Sequence, residues 1–389
     1  MSSNILEKKS VKKVLFISNI LSHITGFHLP CLKWFKGNGY EVHVMCNAMG
    51  EEKPDFCDKL FDLNISRSPF HLKNIKAIFN AKKIIDMEQY SIVHCHTPMG
   101  GVVGRLASVS IRKSNSKVIY TAHGFHFFKG SSLVDWILFY PIEKLLAKFT
   151  DKIITINEED YKLAKKKFAS KKTRIYKTNG VGVNINKFNV EKTDQKLQIR
   201  NRYGYKDSDL ILFYAAEFIN RKNHIFIVDN AKQWKSKLPN LKIIFAGKGK
   251  LLETMKHRSQ ENSTDDIIDF LGFRKDIPDL LKMADIILTP SRQEGLPINI
   301  VEGMASGLPI IGSRIRGHID LIDEGINGFT FLFSKNNEIP SYIEHIIANY
   351  NDFSNNSIKK SLLYSQDVVI KQITDIYVET IKEIDCGQL

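Results

Sequence analysis

Residues 286–309 read Ile286-Ile-Leu-Thr289-Pro-Ser-Arg-Gln-Glu294-Gly-Leu-Pro297-Ile-Asn-Ile-Val-Glu302-Gly-Met-Ala-Ser-Gly307-Leu-Pro309. A β-branched run over Ile286–Thr289 predicts a strand, and a polar loop carrying Glu294 follows it. Pro297 is expected at the first helical position, and Gly307 to end a helix running to about Ser306. The same strand–loop–helix unit repeats outward in both directions. Upstream in this half, strands are expected at Leu210–Tyr214, Leu241–Ala246 and Ile267–Phe270; downstream at Pro309–Gly312 and Gly328–Phe331.

The first half follows the same rhythm. Runs at Val14–Ile17, Glu41–Cys46, Ile92–Cys95, Lys117–Thr121 and Ile153–Ile156 predict strands. Helical patterns at about 26–37, 73–88, 101–113 and 133–148 lie between them. Strands that are apolar throughout imply a parallel sheet covered on both faces. The fold class is therefore α/β, with two doubly wound parallel-sheet, Rossmann-like domains facing a cleft. The expected division is 1–190, 191–365 and a last helix, 366–389, packing back on the N-terminal domain. Residues 184–208, polar and weakly periodic, look like the junction. In such sheets ligands collect at the carboxyl ends of the strands, beside helix N-termini.

The 389 residues carry a net charge of +14. Residues 1–190 hold 30 Lys/Arg against 15 Asp/Glu, and the remainder 26 against 27, so the whole excess sits in the first half. That field attracts anionic partners: a membrane surface, nucleic acid or a phosphorylated substrate. Five cysteines, an odd number without metal-ligand spacing, argue for reduced thiols in a cytoplasmic protein. No apolar run is long enough to span a bilayer.

Glu294 and Glu302 give the sharpest chemistry. Backbone N–H groups near Gly295, Leu296 and Pro297 would meet phosphate oxygens at the helix N-terminus. A carboxylate accepts both hydrogens of a vicinal diol, so Glu302 suits a ribose and Glu294 a sugar. A solvated loop acid and an ordinary helix acid would leave the same trace.

This segment resembles the retaining GT-B glycosyltransferases of the GT4 type, whose signature is two Glu separated by seven residues with Gly-Leu-Pro after the first. The resemblance covers about residues 12–375. It implies transfer of a hexose or N-acetylhexosamine from a nucleotide-sugar, expected to be a UDP-sugar, with the anomeric configuration retained. Glu294 would contact the donor sugar and Glu302 the ribose. In Ala215-Ala-Glu217-Phe-Ile-Asn-Arg221-Lys222, Lys222 matches the family's diphosphate-binding Lys. Glu217 stands where an Arg is usual, and Arg221 is expected to supply that charge. Gly247 in Phe245-Ala-Gly-Lys-Gly249 resembles the glycine turn near the donor. Gly272 and Phe273 resemble the segment that recognises the base, although Phe273 equally reads as core.

In the first half, Thr25-Gly26 resembles a flexible glycine loop near the donor phosphates, with His23 and His28 as acceptor-pocket candidates. His123-Gly124 resembles the family's active-site His-Gly, which implies a catalytic role for His123 beside Glu294 and Lys222. Asn157 reads as a helix cap followed by first-turn acids. Paired histidines at 94/96 and 123/126 invite a zinc reading, but no third ligand is well placed. No metal and no cofactor beyond the donor are expected. The Leu-, Ile- and Trp-rich segment 131–149 and the lysine-rich 161–174 suit docking at an anionic leaflet, or else are a core helix and a solvated face. Many members of this family act on lipid-diphosphate-linked sugars. The resemblance thus implies a polyprenyl-diphosphate-linked saccharide acceptor in surface-polysaccharide biosynthesis, with the enzyme peripheral at the inner face of the membrane. Rival readings are a UDP-sugar epimerase of the same architecture and an inactive basic protein binding membrane or nucleic acid. The basic residues lack the aromatic interleaving or helix-turn-helix context that nucleic acid would favour.

Overall fold

Apolar β-branched runs become strands, and the first seven join one sheet: β1 (Lys13–Ile17), β2 (Glu41–Cys46), β3 (Lys59–Asp62), β4 (Ile92–His96), β5 (Lys117–Ala122), β6 (Lys152–Thr155) and β7 (Arg174–Lys177). Their order is β3-β2-β1-β4-β5-β6-β7, all parallel. The computed structural model describes residues 11–188 and 193–387. The boundary expected between 190 and 191 lies outside the described residues, as do the N-terminal ten. By contacts the chain divides into two units: the chain through Val181 together with residues from Val369 on, and Gly182–Val368.

Alternation along β1 explains why the first sheet is covered on both faces. Leu15 and Ile17 enter one core with Val93 and Val103; Val14 and Phe16 enter the other with Leu32 and Phe35. Five strands were expected here and seven form. The two missed, β3 and β7, are the outermost, with only their central residues half-buried, so neither carries a long apolar run. The helix expected over 26–37 is two, Leu21–Phe27 and Leu29–Gly37, because His28 leaves helical geometry at φ −118° ahead of Pro30. The helix expected over 101–113 begins at Pro98, capped by Thr97, and ends at Ala107.

Two buried cations brace this unit. Arg105, fully buried, makes a bidentate pair with Glu143 at 2.8 and 3.0 Å, donates Nε to the Gly101 carbonyl and covers the Tyr120 ring at 3.8 Å. Lys152 meets Glu379 and Glu383 of the last helix, Gln366–Cys386, at 3.2 and 3.1 Å. Val369, Ile373, Ile376 and Tyr377 of that helix complete the core containing Phe16.

The second sheet holds β8 (Leu210–Ala215), β9 (Leu241–Ala246), β10 (Ile268–Phe270), β11 (Ile286–Thr289), β12 (Ile310–Ser313) and β13 (Gly328–Phe331), parallel in the order β10-β9-β8-β11-β12-β13. Within 184–208, read as an irregular junction, the helix Thr193–Tyr203 forms. Its anchor is electrostatic: buried Arg200 reaches Asp285 at 2.7 Å, a contact invisible to apolar periodicity. Strand order reverses between β1 and β4 in one sheet and between β8 and β11 in the other. These are the switch points at which doubly wound sheets bind ligands.

Candidate active site

In the second unit the switch point gathers loops from β8 and β11. Lys222 ends a 3-10 turn, Asn220–Lys222, and its Nζ donates to Glu294 Oε1 at 2.5 Å. Arg221 Nη1 lies 3.5 Å from Glu294 Oε2. The loop is pinned to its neighbours. Tyr214 Oη donates to the Lys222 carbonyl at 3.0 Å, Arg292 N donates to the Arg221 carbonyl at 2.7 Å, and Asn223 Nδ2 to the Pro290 carbonyl at 3.1 Å. Glu294 is buried. Burial alone would raise its carboxyl, but Lys222 and His318 beside it, with hydrogen bonds from Lys222 and Ser291, hold it below the ordinary range. It is thus an ionised acceptor at neutral pH.

Behind Glu294 lies a group that the sequence reading passed over. Arg316 Nε donates to the Glu294 carbonyl at 3.0 Å, and His318 Nδ1 bonds the Ser313 carbonyl at 2.8 Å. Gly317, at φ +80°, lets the chain pass Gly295: an added Cβ would lie 2.6 Å from the Gly295 carbonyl oxygen. The Gly312–His318 stretch carries none of the quoted motif, and only its spatial return to Glu294 marks it.

Pro297 is the N-cap of the helix Ile298–Ala305 rather than its first residue; with ψ at 120° it has not entered helical geometry. Proline offers no side-chain cap, so the first-turn N–H groups have no acceptor from that residue. Gly295 and Leu296 are half-buried just before it, and Gly307, at φ +75°, terminates the helix as expected. Glu302, half-buried on the helix, is pushed up to about 7 by burial.

Gly247 and Gly249 serve backbone packing. A Cβ on Gly247 would lie 1.9 Å from the Ala216 carbonyl oxygen, and one on Gly249 would lie 2.6 Å from both Phe218 N and its carbonyl oxygen. Gly247 N donates to the Gly272 carbonyl at 2.7 Å, and Phe218 N to the Lys248 carbonyl at 2.9 Å. The loops after β8, β9 and β10 are thereby stitched together. Phe273 is not core: it is 63% exposed, with Lys248 Nζ 5.2 Å from its ring centre. Such a ring is free to stack. Glu217, at the place where the resemblance implies an Arg, is exposed.

The first unit's switch point is lined by imidazoles. His23 and His28 follow β1, His96 ends β4 and His123 follows β5. His23 Nε2 lies 3.1 Å from His123 Nε2 and 3.3 Å from His28 Nε2. Burial lowers His23 to about 4. Burial, with the neighbouring imidazoles, holds His28, His96 and His123 well below the usual histidine range, so all four are neutral. Thr25 and Gly26 do not form the expected flexible loop. Both lie in the helix Leu21–Phe27, with Thr25 Oγ1 directed to the Leu21 and Ser22 carbonyls. The loop after His123 is tied to the helix Glu158–Lys167: Phe125 N donates to Asp160 Oδ2, and Lys129 N to Glu159 Oε1. Asn157 caps that helix by accepting from Asp160 N.

Glu294, Lys222 and Arg221 thus share one site, with Gly295, Leu296 and Pro297 continuous with it; Gly247, Gly272 and Phe273 belong to the adjoining stitched loops. His123 stands in the other unit, in a histidine cluster. Residues 195–361 match the family described as glycosyl transferases group 1, and residues 13–157 the family described as glycosyl transferase 4-like. The chain is 38% identical to a putative glycosyltransferase, EpsD, of Bacillus subtilis, over 94% of this chain and 96% of that one. It is 25% identical to the UDP-Gal:alpha-D-GlcNAc-diphosphoundecaprenol alpha-1,3-galactosyltransferase of Escherichia coli, over 93% and 95%. A crystal structure of HepE from Anabaena in complex with UDP superposes with a TM-score of 0.73 at 18% identity, covering 95% of this chain and all of that one.

Proposed function

From the premise that the chain belongs to the glycosyltransferases, its first half 4-like and its second of group 1 with the GT-B fold, we propose the following activity. It transfers a hexose or N-acetylhexosamine from a UDP-sugar, with retention, to a polyprenyl-diphosphate-linked saccharide in surface-polysaccharide assembly. The observation that carries the reading is the ion pair of half-buried Lys222 with buried Glu294 at the carboxyl end of the second sheet, beside a helix whose first turn has no side-chain cap from Pro297. The galactosyltransferase relative, whose name specifies a UDP-galactose donor and a diphosphoundecaprenol acceptor, supports the donor and acceptor class.

The second unit holds the donor. Lys222 and Arg221 meet the diphosphate, and their charge stabilises it as the bond to the anomeric carbon breaks. Glu294, kept ionised by Lys222, accepts from sugar hydroxyls rather than donating a proton. Glu302 accepts from the ribose diol, Phe273 and Gly272 border the base, and the N–H groups from Gly295 onward face phosphate oxygens. The departing diphosphate takes the proton of the attacking hydroxyl, so the new bond forms on the face the old one leaves. His123 lines the acceptor side as a neutral hydrogen-bonding group. Incubation with a panel of UDP-sugars, with and without lipid extract, tests the reading by mass spectrometry. UDP release with a glycosylated lipid supports it; sugar interconversion without acceptor replaces it with epimerisation.

Glu302 gives a pH signature. With its carboxyl at about 7, the deprotonated form that accepts from a diol is partly populated at neutral pH and gains as pH rises. UDP affinity is expected to strengthen several-fold from pH 6 to pH 8, because binding favours the carboxylate and lowers its pKa. Glu302→Gln should flatten this dependence and Glu302→Ala weaken binding throughout. Calorimetry across pH decides, and an unchanged affinity in Glu302→Ala removes the residue from the ribose.

Among the described residues no helix is long and apolar enough to cross a membrane. The helix Leu133–Ala147 nevertheless leaves Leu133, Val134, Ile137, Leu138, Ile142 and Leu145 exposed, so it is not the core helix that its composition also allowed. Together with the basic excess of this half, that face supports peripheral docking on an anionic leaflet. Ile137→Asp should lower pelleting with anionic vesicles, and added salt should release the wild-type protein. Equal binding to neutral vesicles would count against the electrostatic part.

A further inference from the structure

The first unit's histidine cluster goes beyond what sugar transfer requires. One nitrogen from each of His23, His28, His96 and His123 lies within 4.8 Å of the others. The carboxyl ends of β1, β4 and β5 deliver them: His23 lies in the helix Leu21–Phe27, His28 at the start of the next helix, His96 at the end of β4 and His123 just after β5. Among the described residues no carboxylate or thiol joins the group.

Hydrogen bonding does not satisfy this arrangement. A ring nitrogen carries either one hydrogen or one lone pair in its plane, so it serves one partner well. His23 Nε2 faces two other Nε2 atoms, at 3.1 and 3.3 Å. His96 is fully buried and both of its ring nitrogens lack a partner, so their lost hydration is not made good by any hydrogen bond. Its neighbour His94 shows the contrast: Nδ1 bonds Tyr377 Oη at 2.7 Å and Nε2 bonds Thr121 Oγ1 at 2.8 Å, so it is committed and stands outside the cluster.

A dication resolves the conflict. With metal–nitrogen bonds of about 2.0–2.1 Å, ligand nitrogens on a tetrahedron sit roughly 3.3–3.4 Å apart. Two of the separations, 3.1 Å for His23–His123 and 3.3 Å for His23–His28, are already close to that edge. Bonding through one nitrogen would also remove one of the two orphans on His96. We propose that His23, His28, His96 and His123 form a binding site for a first-row transition-metal dication that prefers imidazole ligands, with Zn2+ as the fitting ion. The buried pair His28 and His96 anchors the ion, while His23 and His123 close the site from their half-buried positions. With Nε2 given to the metal, His123 keeps Nδ1 for a sugar hydroxyl. The ion would then position that imidazole rather than take part in the transfer.

The test uses the full chain without a histidine tag, stripped with chelator and titrated with Co2+. Tetrahedral cobalt reports itself by intense visible absorption, so saturation at one equivalent, with displacement by Zn2+, is the expected result. His96→Gln and His23→Ala should each lose that signal or weaken Zn2+ binding at least tenfold. The far-UV circular dichroism and urea midpoint of each variant serve as the folding control, because UDP binding reports only the other unit. Failure of the wild type to take up one equivalent of either ion overturns the proposal. So does a folded His96→Gln protein that binds as tightly as the wild type. If His96→Gln loses the native dichroism or urea midpoint, His23→Ala decides on the same criterion.

Discussion

Lys222→Ala is expected to reduce turnover by more than tenfold and toward about 10²-fold, the range found when one preorganised charge or donor at a developing anion is lost. Two effects add. The departing diphosphate loses a cation, and Glu294, buried and left with Arg221 at 3.5 Å, His318 and the Ser291 hydrogen bond, loses its nearest charged partner. Burial then acts with less opposition and the Glu294 carboxyl titrates upward. At saturating donor the variant's rate should therefore fall more steeply than the wild type's as pH is lowered. Steady-state UDP release across pH reads both effects. A fully active Lys222→Ala enzyme would remove Lys222 from the leaving group.

Arg105→Ala should destabilise the first unit by about 3–5 kcal/mol, the range for breaking a buried ion pair from one side. The truncated residue leaves Glu143, 12% exposed at its side chain, without its fork, and frees the Gly101 carbonyl and the Tyr120 ring. Paired replacement, Arg105→Met with Glu143→Leu, should recover most of that loss because no charge is stranded. Urea unfolding monitored in the first unit measures the difference. A midpoint unchanged in Arg105→Ala would show that the pair contributes nothing.

What the sequence disclosed follows from the kind of force at each place. The central strands β1, β4, β8 and β11 are buried on both faces, so their apolar runs announced them and with them the doubly wound architecture. The edges β3 and β7, half-exposed and four residues long, carry no such run. The Glu294–Glu302 segment was legible because its parts are contiguous along the chain. Arg316, Gly317 and His318 were not, since they reach Glu294 only after β12 has returned beside β11. Thr25-Gly26, expected in a flexible loop by resemblance, lies in a helix instead: nothing crowds the missing Cβ of Gly26 and the helix passes through it. The four histidines come from positions 23, 28, 96 and 123, and only the side-by-side placement of β1, β4 and β5 makes them neighbours.

The last helix carries a practical consequence. The chain passes from the first unit to the second at Val181–Gly182 and back at Val368–Val369. The first unit is therefore assembled from two separate stretches of the chain, while the second is one contiguous segment inserted between them. A fragment ending near residue 190 would lack Tyr377 for His94 and the acids that meet Lys152. Exchanging the donor-handling part between relatives to change the transferred sugar calls for two splice points, replacing 182–368 as a cassette and keeping the native tail. A hybrid joined once would carry a foreign helix against Phe35 and Trp34, and its failure to express would say nothing about specificity.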